Sequence, residues 1–526
     1  MGSLPDLTER TRHCRPAART VSDPHRHRTV VPQIPVSTIY KKEWPWRKTK
    51  TQLKMPAVNA NRRRESAASS LGAASVRRLI TRQPQKIPKL IITRFTLLCI
   101  ASGLCSTAIL PFTAYAGAEA GAMPLAVMHT VAAIAAPFSP LILQKTGTRH
   151  VITLSHVLVC VLLVAHTIAT PLSILLFLYA ICGVMLSPME LALAASATSF
   201  AQAAGDESRR KIALRRALRA LRATQDVGLV IGSLMLGGAL LIWPEDLMPL
   251  LQLPANTMQN FSTPGWPPSE DDLVEEDIEE RTCGASGCPD VQSLVGTALS
   301  AEGRRVVVAV WAGLALAAAF LALYGAASTP SPPPDARSVL RDPRSLLGAP
   351  MGLFIGLQQG FIYTSYIKWY GVCVGGWSEA WRALCGAGAL QALAAATLSM
   401  AAARGRRGAL AAGGAAAHAS LLLALLRWRA ARTDLALPTV AAAAWGACAA
   451  LWDVLQSGIC VGGPGWRGPW SFTLTARHAG LALACGARQF LCVRTQLAVL
   501  ALALLTALTS HGALELRLRR DLRHRS

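Results

Sequence analysis

The chain has 526 residues, 52% of them hydrophobic and only 16% charged, where an ordinary soluble domain carries about 25% charged residues. That balance argues against a soluble enzyme and against a mainly disordered chain, because so much apolar sequence has to lie in long runs and be buried. The formal net charge of +24 would suit nucleic acid, but no basic helix is interleaved with aromatics for stacking on bases.

The charges are instead segregated along the chain. Residues 1–89 hold 20 Lys and Arg against 5 Asp and Glu. Residues 244–303 hold 12 acids against one base, and the last ten residues hold five Arg and one Asp. Basic tails and alternate loops are what the positive-inside rule requires of cytoplasmic segments. The first 89 residues contain no apolar signal region. Their Arg-, Ala- and Ser-rich stretch from Asn59 to Arg82 shares the composition of a transit peptide, but it contains acids and no clean amphipathic Arg helix. The reading is a disordered cytoplasmic tail with a polybasic patch near anionic lipid.

Apolar runs long enough to span a bilayer follow in order. They are Phe95 to Ala116, Met123 to Leu143, Val151 to Ala169, Leu172 to Phe200, Thr224 to Trp243 and Val306 to Tyr324. After a polar linker come Leu346 to Ile367, Ala380 to Ala403, Gly408 to Leu426, Leu435 to Ile459, Phe472 to Cys492 and Gln496 to Leu516. An all-α membrane protein of about twelve transmembrane helices is expected, in two six-helix halves like those of the major facilitator superfamily. The expected organisation is a basic cytoplasmic tail (1–89) and an N-terminal half (90–325) that includes the outside loop 244–303. A cytoplasmic linker (326–345), a C-terminal half (346–516) and a basic tail (517–526) complete it. With both termini inside, the basic stretch Asp206 to Arg222 falls inside and the acidic loop outside. Arg427, Arg429 and Arg432 are the exception, on the outer side.

The outside loop contains Asn260-Phe261-Ser262, an N-glycosylation acceptor. It also contains Cys283 and Cys288, with four residues between them in an oxidising setting, for which a mutual disulfide is the natural expectation. Ten of the thirteen cysteines, from Cys99 to Cys492, lie in or beside apolar runs and read as small core residues. In the seventh run Gly348, Gly352, Gly356 and Gly360 form a smooth ridge for another backbone. Gln359, Tyr363, Tyr366 and Tyr370 make a polar-aromatic stripe, which suits either core packing or a ligand cavity. The tenth run carries Trp445, Gly446, Trp452, Asp453 and Gln456. An acid within a span is a functional candidate, but Asp453 lies toward the cytoplasmic end, where water or an Arg could meet it. Glu190 has the same standing, and Asp226 reads as interfacial. His129, His156 and His166 lie within spans and read as buried, hydrogen-bonded residues. A proton relay would need a partner acid that the sequence does not show. No nucleotide loop, zinc signature or catalytic triad pattern occurs, so no enzyme activity, metal or cofactor is expected.

The segment from Leu353 to Ile362, with Gly356, Gln358, Gln359, Gly360 and Phe361, followed by Tyr366, Lys368, Tyr370 and Cys373, resembles the seventh-span motif of the Unc-ninety-three-like family. Ala444 to Gly446 through Trp452 and Gln456 resembles its tenth-span pattern, and Cys283 to Cys288 its paired-cysteine stretch. The resemblance covers residues 86–516. The family's usual acid in the seventh span is Gln358 here, and its eleventh-span Arg corresponds to Arg477, one place out of register. The resemblance implies a multipass regulatory or accessory protein that binds other membrane proteins, a potassium-channel complex or a trafficked receptor. The plasma membrane is the expected site, with the endoplasmic reticulum or endosome as alternatives. The second reading is a secondary transporter of the major facilitator type.

Overall fold

In the computed structural model the described residues are 87–119, 121–168, 170–246, 283–289, 297–326, 339, 341–403, 407–431, 433–434, 436–461 and 465–523. Asn260, most of the N-terminal tail and most of the outside loop fall outside them. Among the described residues twelve long helices follow one another. They are α1 (Lys89–Ala118), α2 (Ala122–Thr146), α3 (Thr148–Thr167), α4 (Leu172–Gln202), α5 (Glu207–Ile242) and α6 (Ala301–Gly325). Then come α7 (Pro343–Gly375), α8 (Trp377–Ala403), α9 (Arg407–Arg427), α10 (Leu437–Cys460), α11 (Arg467–Ala487) and α12 (Val493–Arg523). Two three-residue strands, β1 (Pro244–Asp246) and β2 (Thr297–Leu299), pair antiparallel between α5 and α6.

Eleven of these helices are long and apolar enough to cross a membrane. The remaining one, α11, has the length but carries Arg467, Arg477 and His478. Its Arg477 and His478 are buried, so this helix turns its polar groups inward rather than toward lipid. The protein is an integral multipass membrane protein.

Helix ends depart furthest from the apolar runs in three places. The basic stretch after Asp206 is not a loop but the first four turns of α5, because its Ala, Leu, Arg and Lys are strong helix formers. The basic C-terminal stretch likewise continues α12 to Arg523, with Arg519 Nη2 3.1 Å from Glu515 one turn earlier. The seventh helix runs beyond Ile367 to Gly375 by widening into a π-helix over Ile362–Val372. Pro343 occupies its first turn, and the Asp342 carboxylate caps it by accepting the Arg344 N–H at 2.9 Å.

Two packing layers matter for the interior. α1 lies against α5 and α6, and α2 against α4; α7 lies against α11 and α12, and α10 against α8 and α9. The six-helix groups meet where α2 packs on α11, α5 on α8, and α1 on the π-helical stretch of α7. The glycine ridge of α7 faces α11 as its spacing predicts. A Cβ on Gly356 would stand 1.9 Å from the Arg477 carbonyl oxygen, and one on Gly480 would stand 2.2 Å from the Leu353 carbonyl oxygen. The two backbones touch in both directions. Gly356→Ala is therefore expected to cost about 1–3 kcal/mol, the usual range for forcing extra volume into a packed site. Gly413→Ala on α9, where nothing lies within 4 Å, is expected to be neutral. Thermal melting in detergent compares them, and equal melting temperatures would show that α7 and α11 can part at no cost.

The cysteine pairing differs from the expectation. Cys283 and Cys288 are both in disulfides, but not with each other: Cys283 is bonded to Cys373 at the end of α7, and Cys288 to Cys492 before α12. A short 3-10 turn, Gly284–Ser286, opens with Gly284 at φ 72° and carries the two cysteines to different helices. The turn is seated by Tyr370, Trp428 and Ala430 around Gly284 and by Trp369 against Gly287. Gly287 accepts the Val493 N–H at 2.8 Å. Cys373 and Cys492 are thus not core thiols, whereas Cys99, Cys105, Cys182, Cys448, Cys460 and Cys485 are free and buried.

Candidate functional site

The bundle has two ends that the sequence itself distinguishes. The disulfide end carries the Cys283–Cys288 turn, and the basic end carries the start of α5. A cavity of about 720 Å³ occupies the middle and extends to the basic end, where Lys211 and Arg215 are exposed. Its inner walls include Thr113 of α1, Leu125 and His129 of α2, and Thr364 of α7. None of the residues that close the disulfide end lines it. There Arg488 donates to the Ala118 carbonyl at 2.5 Å and the Glu119 carbonyl at 3.4 Å. The Tyr115 and Trp377 rings meet at 4.8 Å. Burial lowers the Arg488 pKa to about 10, which leaves the guanidinium charged at neutral pH.

A charged network crosses the cavity between the two helix groups. Arg222 of α5 donates to Asp453 of α10 and lies 3.5 Å from Asp226, one turn along its own helix. Arg477 of α11 lies 3.5 Å from Glu190 of α4 and 3.9 Å from Asp453, and donates to the Gln359 side chain at 2.8 Å. Gln391 of α8 donates to Asp226 at 3.0 Å. His478 Nε2 stands 3.7 Å from Glu190, and His478 Nδ1 stands 3.4 Å from His129 Nδ1. The network holds three carboxylates and two guanidiniums, and every pair except Arg222–Asp226 joins different helices. Among the described residues no group of three or more His, Cys, Asp or Glu is arranged to hold a metal ion.

Several sequence candidates fall into this site. Asp453 is its bridging carboxylate, which resolves the open reading in favour of an Arg partner. Glu190 joins it. Asp226 does not sit at an interface: its side chain is 4% exposed, inside the network. Of the three histidines singled out in the sequence, His129 reaches Glu190 only through His478, which lies between them. Gln359 and Tyr363 face the cavity.

Other candidates do not reach it. Tyr366 and Tyr370 leave the stripe: their hydroxyls donate to the Pro438 and Leu425 carbonyls at 2.5 and 2.8 Å, and their rings stack on each other at 5.1 Å. The cause is the π-helical stretch, whose i→i+5 hydrogen bonds widen each turn and break the 3.6-residue register that the stripe assumed. Phe361 and Trp445 stack at 5.4 Å in the core, and Trp452 donates to His418 at 3.4 Å. Gly446 is pressed on the Ala387 carbonyl and Gln456 lies beside Gly352, whereas Gly360, packed on Ala484, does line the cavity. Gln358 is buried, and Lys368 lies over Trp369 at 4.6 Å. The sequence reading left out His478 and Gln391, and it named Arg222 only as part of a basic stretch and Arg477 only as a motif position. A charge embedded in an apolar run was the available signal for Arg477.

Three comparisons bear on this arrangement. No protein-family model matches the chain. It is 24% identical over 273 residues to human Protein unc-93 homolog A, a stretch that makes up 48% of this chain and 59% of that protein. Among solved structures it is similar to FucP, a major facilitator superfamily transporter captured in the outward conformation, with a TM-score of 0.51 and 15% identity over 80% of this chain and 99% of that one. A second structure of FucP, described as the E. coli fucose:proton symporter, gives a TM-score of 0.50 at 15% identity, covering 80% and 98%. The chain has the major facilitator fold, in two six-helix halves.

Proposed function

We propose that this protein is a solute carrier that works by alternating access, the second of the two readings open from the sequence. The observation that carries it is the cavity itself, which reaches one end of the bundle, is sealed at the other, and is spanned by ion pairs joining the two halves. A static scaffold has no use for buried charges in a bilayer, where each is costly. A carrier needs contacts that differ between two states, because only differential interactions shift such an equilibrium. Arg222 with Asp453 and Arg477 with Glu190 join the halves at the centre, Arg488 with Ala118 closes the disulfide end, and alternating access would require the Arg488 contact to break in the other state. By the positive-inside rule the basic end faces the cytosol, both termini are cytoplasmic, and the structure is the inward-open state. The plasma membrane is the proposed location.

The test is a cysteine placed at Thr113, at the closed end of the cavity, with the unsubstituted protein as background. A membrane-impermeant thiol reagent applied from the disulfide side is expected to modify it slowly, and faster when Arg488→Ala breaks the seal. No modification from that side in either background would mean that the disulfide end never opens, and the carrier reading would fall.

A second reading is favoured by the likeness to Protein unc-93 homolog A and by the disulfide-held turn, a structured feature outside the cavity. In it the protein is an accessory subunit for another membrane protein, a potassium channel or a trafficked receptor, and the turn is the contact. A partner that co-purifies and is lost when Cys283 and Cys288 are both replaced by Ser would support it.

A further inference from the structure

We infer that the cavity takes an amphipathic organic anion, whose charged head is met by a row of cations on one face of α5. This deepens the carrier reading and rests on it for translocation, though not for binding. The first four turns of α5 carry seven basic residues, which topology alone would account for. Topology does not dictate which face they occupy. Lys211, Arg215, Arg219 and Arg222, spaced four, four and three apart, all line the cavity, whereas Arg209, Arg210 and Arg216 do not. Spacing of that kind stacks side chains along one helix face. The row leads from the mouth to the central network.

Among the described residues two members of the row have no acidic partner. Arg222 is committed to Asp226 and Asp453, and Lys211 lies 2.9 Å from Glu207. Arg215 and Arg219 have no ion-pair partner among the described residues, and the Arg219 Nε is buried without a hydrogen-bond partner. Arg407 adds to the same mouth from α9, while Arg344 of α7 lines it with its guanidinium paired to Asp342 at 2.7 Å. The cavity lining thus holds seven Lys and Arg against three carboxylates, and two of the seven, Lys211 and Arg344, are paired with Glu207 and Asp342 outside it. A cleft of one sign with low-dielectric walls concentrates ligands of the opposite sign. Those walls are aliphatic next to the row, with Leu214 and Leu218 on α5 facing Leu186, Met189 and Leu193 on α4. A small inorganic anion would leave this apolar surface unused. A molecule with an apolar body and a carboxylate or phosphate head uses both, and the volume is that of an ordinary small-molecule site.

The same chemistry could be presented by a free organic anion or by an anionic lipid headgroup entering from the bilayer. The full-length protein in nanodiscs of phosphatidylcholine, probed with fluorescent dansyl-undecanoic acid, separates the possibilities. Saturable binding is expected, with the neutral methyl ester at least about tenfold weaker, as the loss of one charge-assisted contact implies. Arg219→Gln should weaken the acid by a similar factor, Arg219→Lys should retain most of its binding, and Arg216→Gln should leave it unchanged. Nanodiscs that also contain phosphatidylserine identify the source: competition by the lipid supports a headgroup, and unchanged binding supports a free anion. An ester that binds as well as the acid, or Arg216→Gln as damaging as Arg219→Gln, would overturn the proposal. If the acid binds in this pattern while the Thr113 cysteine stays unreactive from the disulfide side, the anion site stands and the carrier reading alone is lost.

Discussion

Replacing Arg222 with Gln is expected to destabilise the protein by about 3 kcal/mol, the low end of the range for abandoning the partner of a buried charge. The sign follows from the charge balance of the network. With all groups ionised, Glu190, Asp226 and Asp453 against Arg222 and Arg477 leave one surplus negative charge. Removing Arg222 raises the surplus to two, and Asp226, with a side chain only 4% exposed, has little water to turn to. The low end of the range applies because the Arg222 side chain is itself 26% exposed to the cavity, so solvent already screens part of the interaction. The double variant Arg222→Gln with Asp226→Asn restores the original balance and should recover most of the loss. Asp226→Asn alone brings the network to neutrality and should cost less than Arg222→Gln. Melting curves for the four proteins of this cycle measure the coupling directly. If Arg222→Gln is as stable as the parent, or if Asp226→Asn fails to rescue it, the network is not the electrostatic unit described here.

The second large effect concerns the outer turn. Peptide mapping under non-reducing conditions should recover Cys283 linked to Cys373 and Cys288 linked to Cys492. Cys373→Ser is expected to lower stability by about 2–5 kcal/mol, the usual consequence of losing a native disulfide. The bonds close loops of 90 and 204 residues in sequence, so each constrains a long stretch of unfolded chain. A recovered Cys283–Cys288 peptide would instead restore the local ring that the sequence suggests. The turn lies between α5 and α6 in the chain, whereas its bonding partners lie on α7 and just before α12, so the disulfides tie the two halves together at the disulfide end. They do not forbid that end from opening. Cys288 and Thr297 are nine positions apart, and a chain of that length can span about 30 Å. In an outward-opening movement the turn would travel with α7 and α12.

Much of the fold was legible because the bilayer imposes simple rules. A span needs a long apolar run, and the twelve runs became twelve helices. The glycine ridge at four-residue spacing also read correctly, since helix periodicity fixes which residues share a face and a second backbone lies against Gly352 and Gly356. The same periodicity misled at Tyr366 and Tyr370, because the π-helical turn that moves them is held by tertiary contacts and has no sequence period of its own. Basic residues were read only as topological markers. Their second use, as a cavity wall, depended on the rotation of α5 about its axis, and that is set by its packing on α1 and α8.

The sequence by itself determined the solvent the chain is built for, the number of helices and the difference between its two ends, because each follows from local composition and hydrophobic run length. Only the tertiary structure decided which charges meet. Arg222 and Asp453 are 231 residues apart, and Arg477 and Glu190 lie in different halves. Two buried charges find each other through the approach of whole helices, and that approach depends on the shape of every side chain between them. The cysteines follow the same logic: proximity along the chain suggested one ring, while proximity in space made two bonds that join the outer turn to α7 and α12.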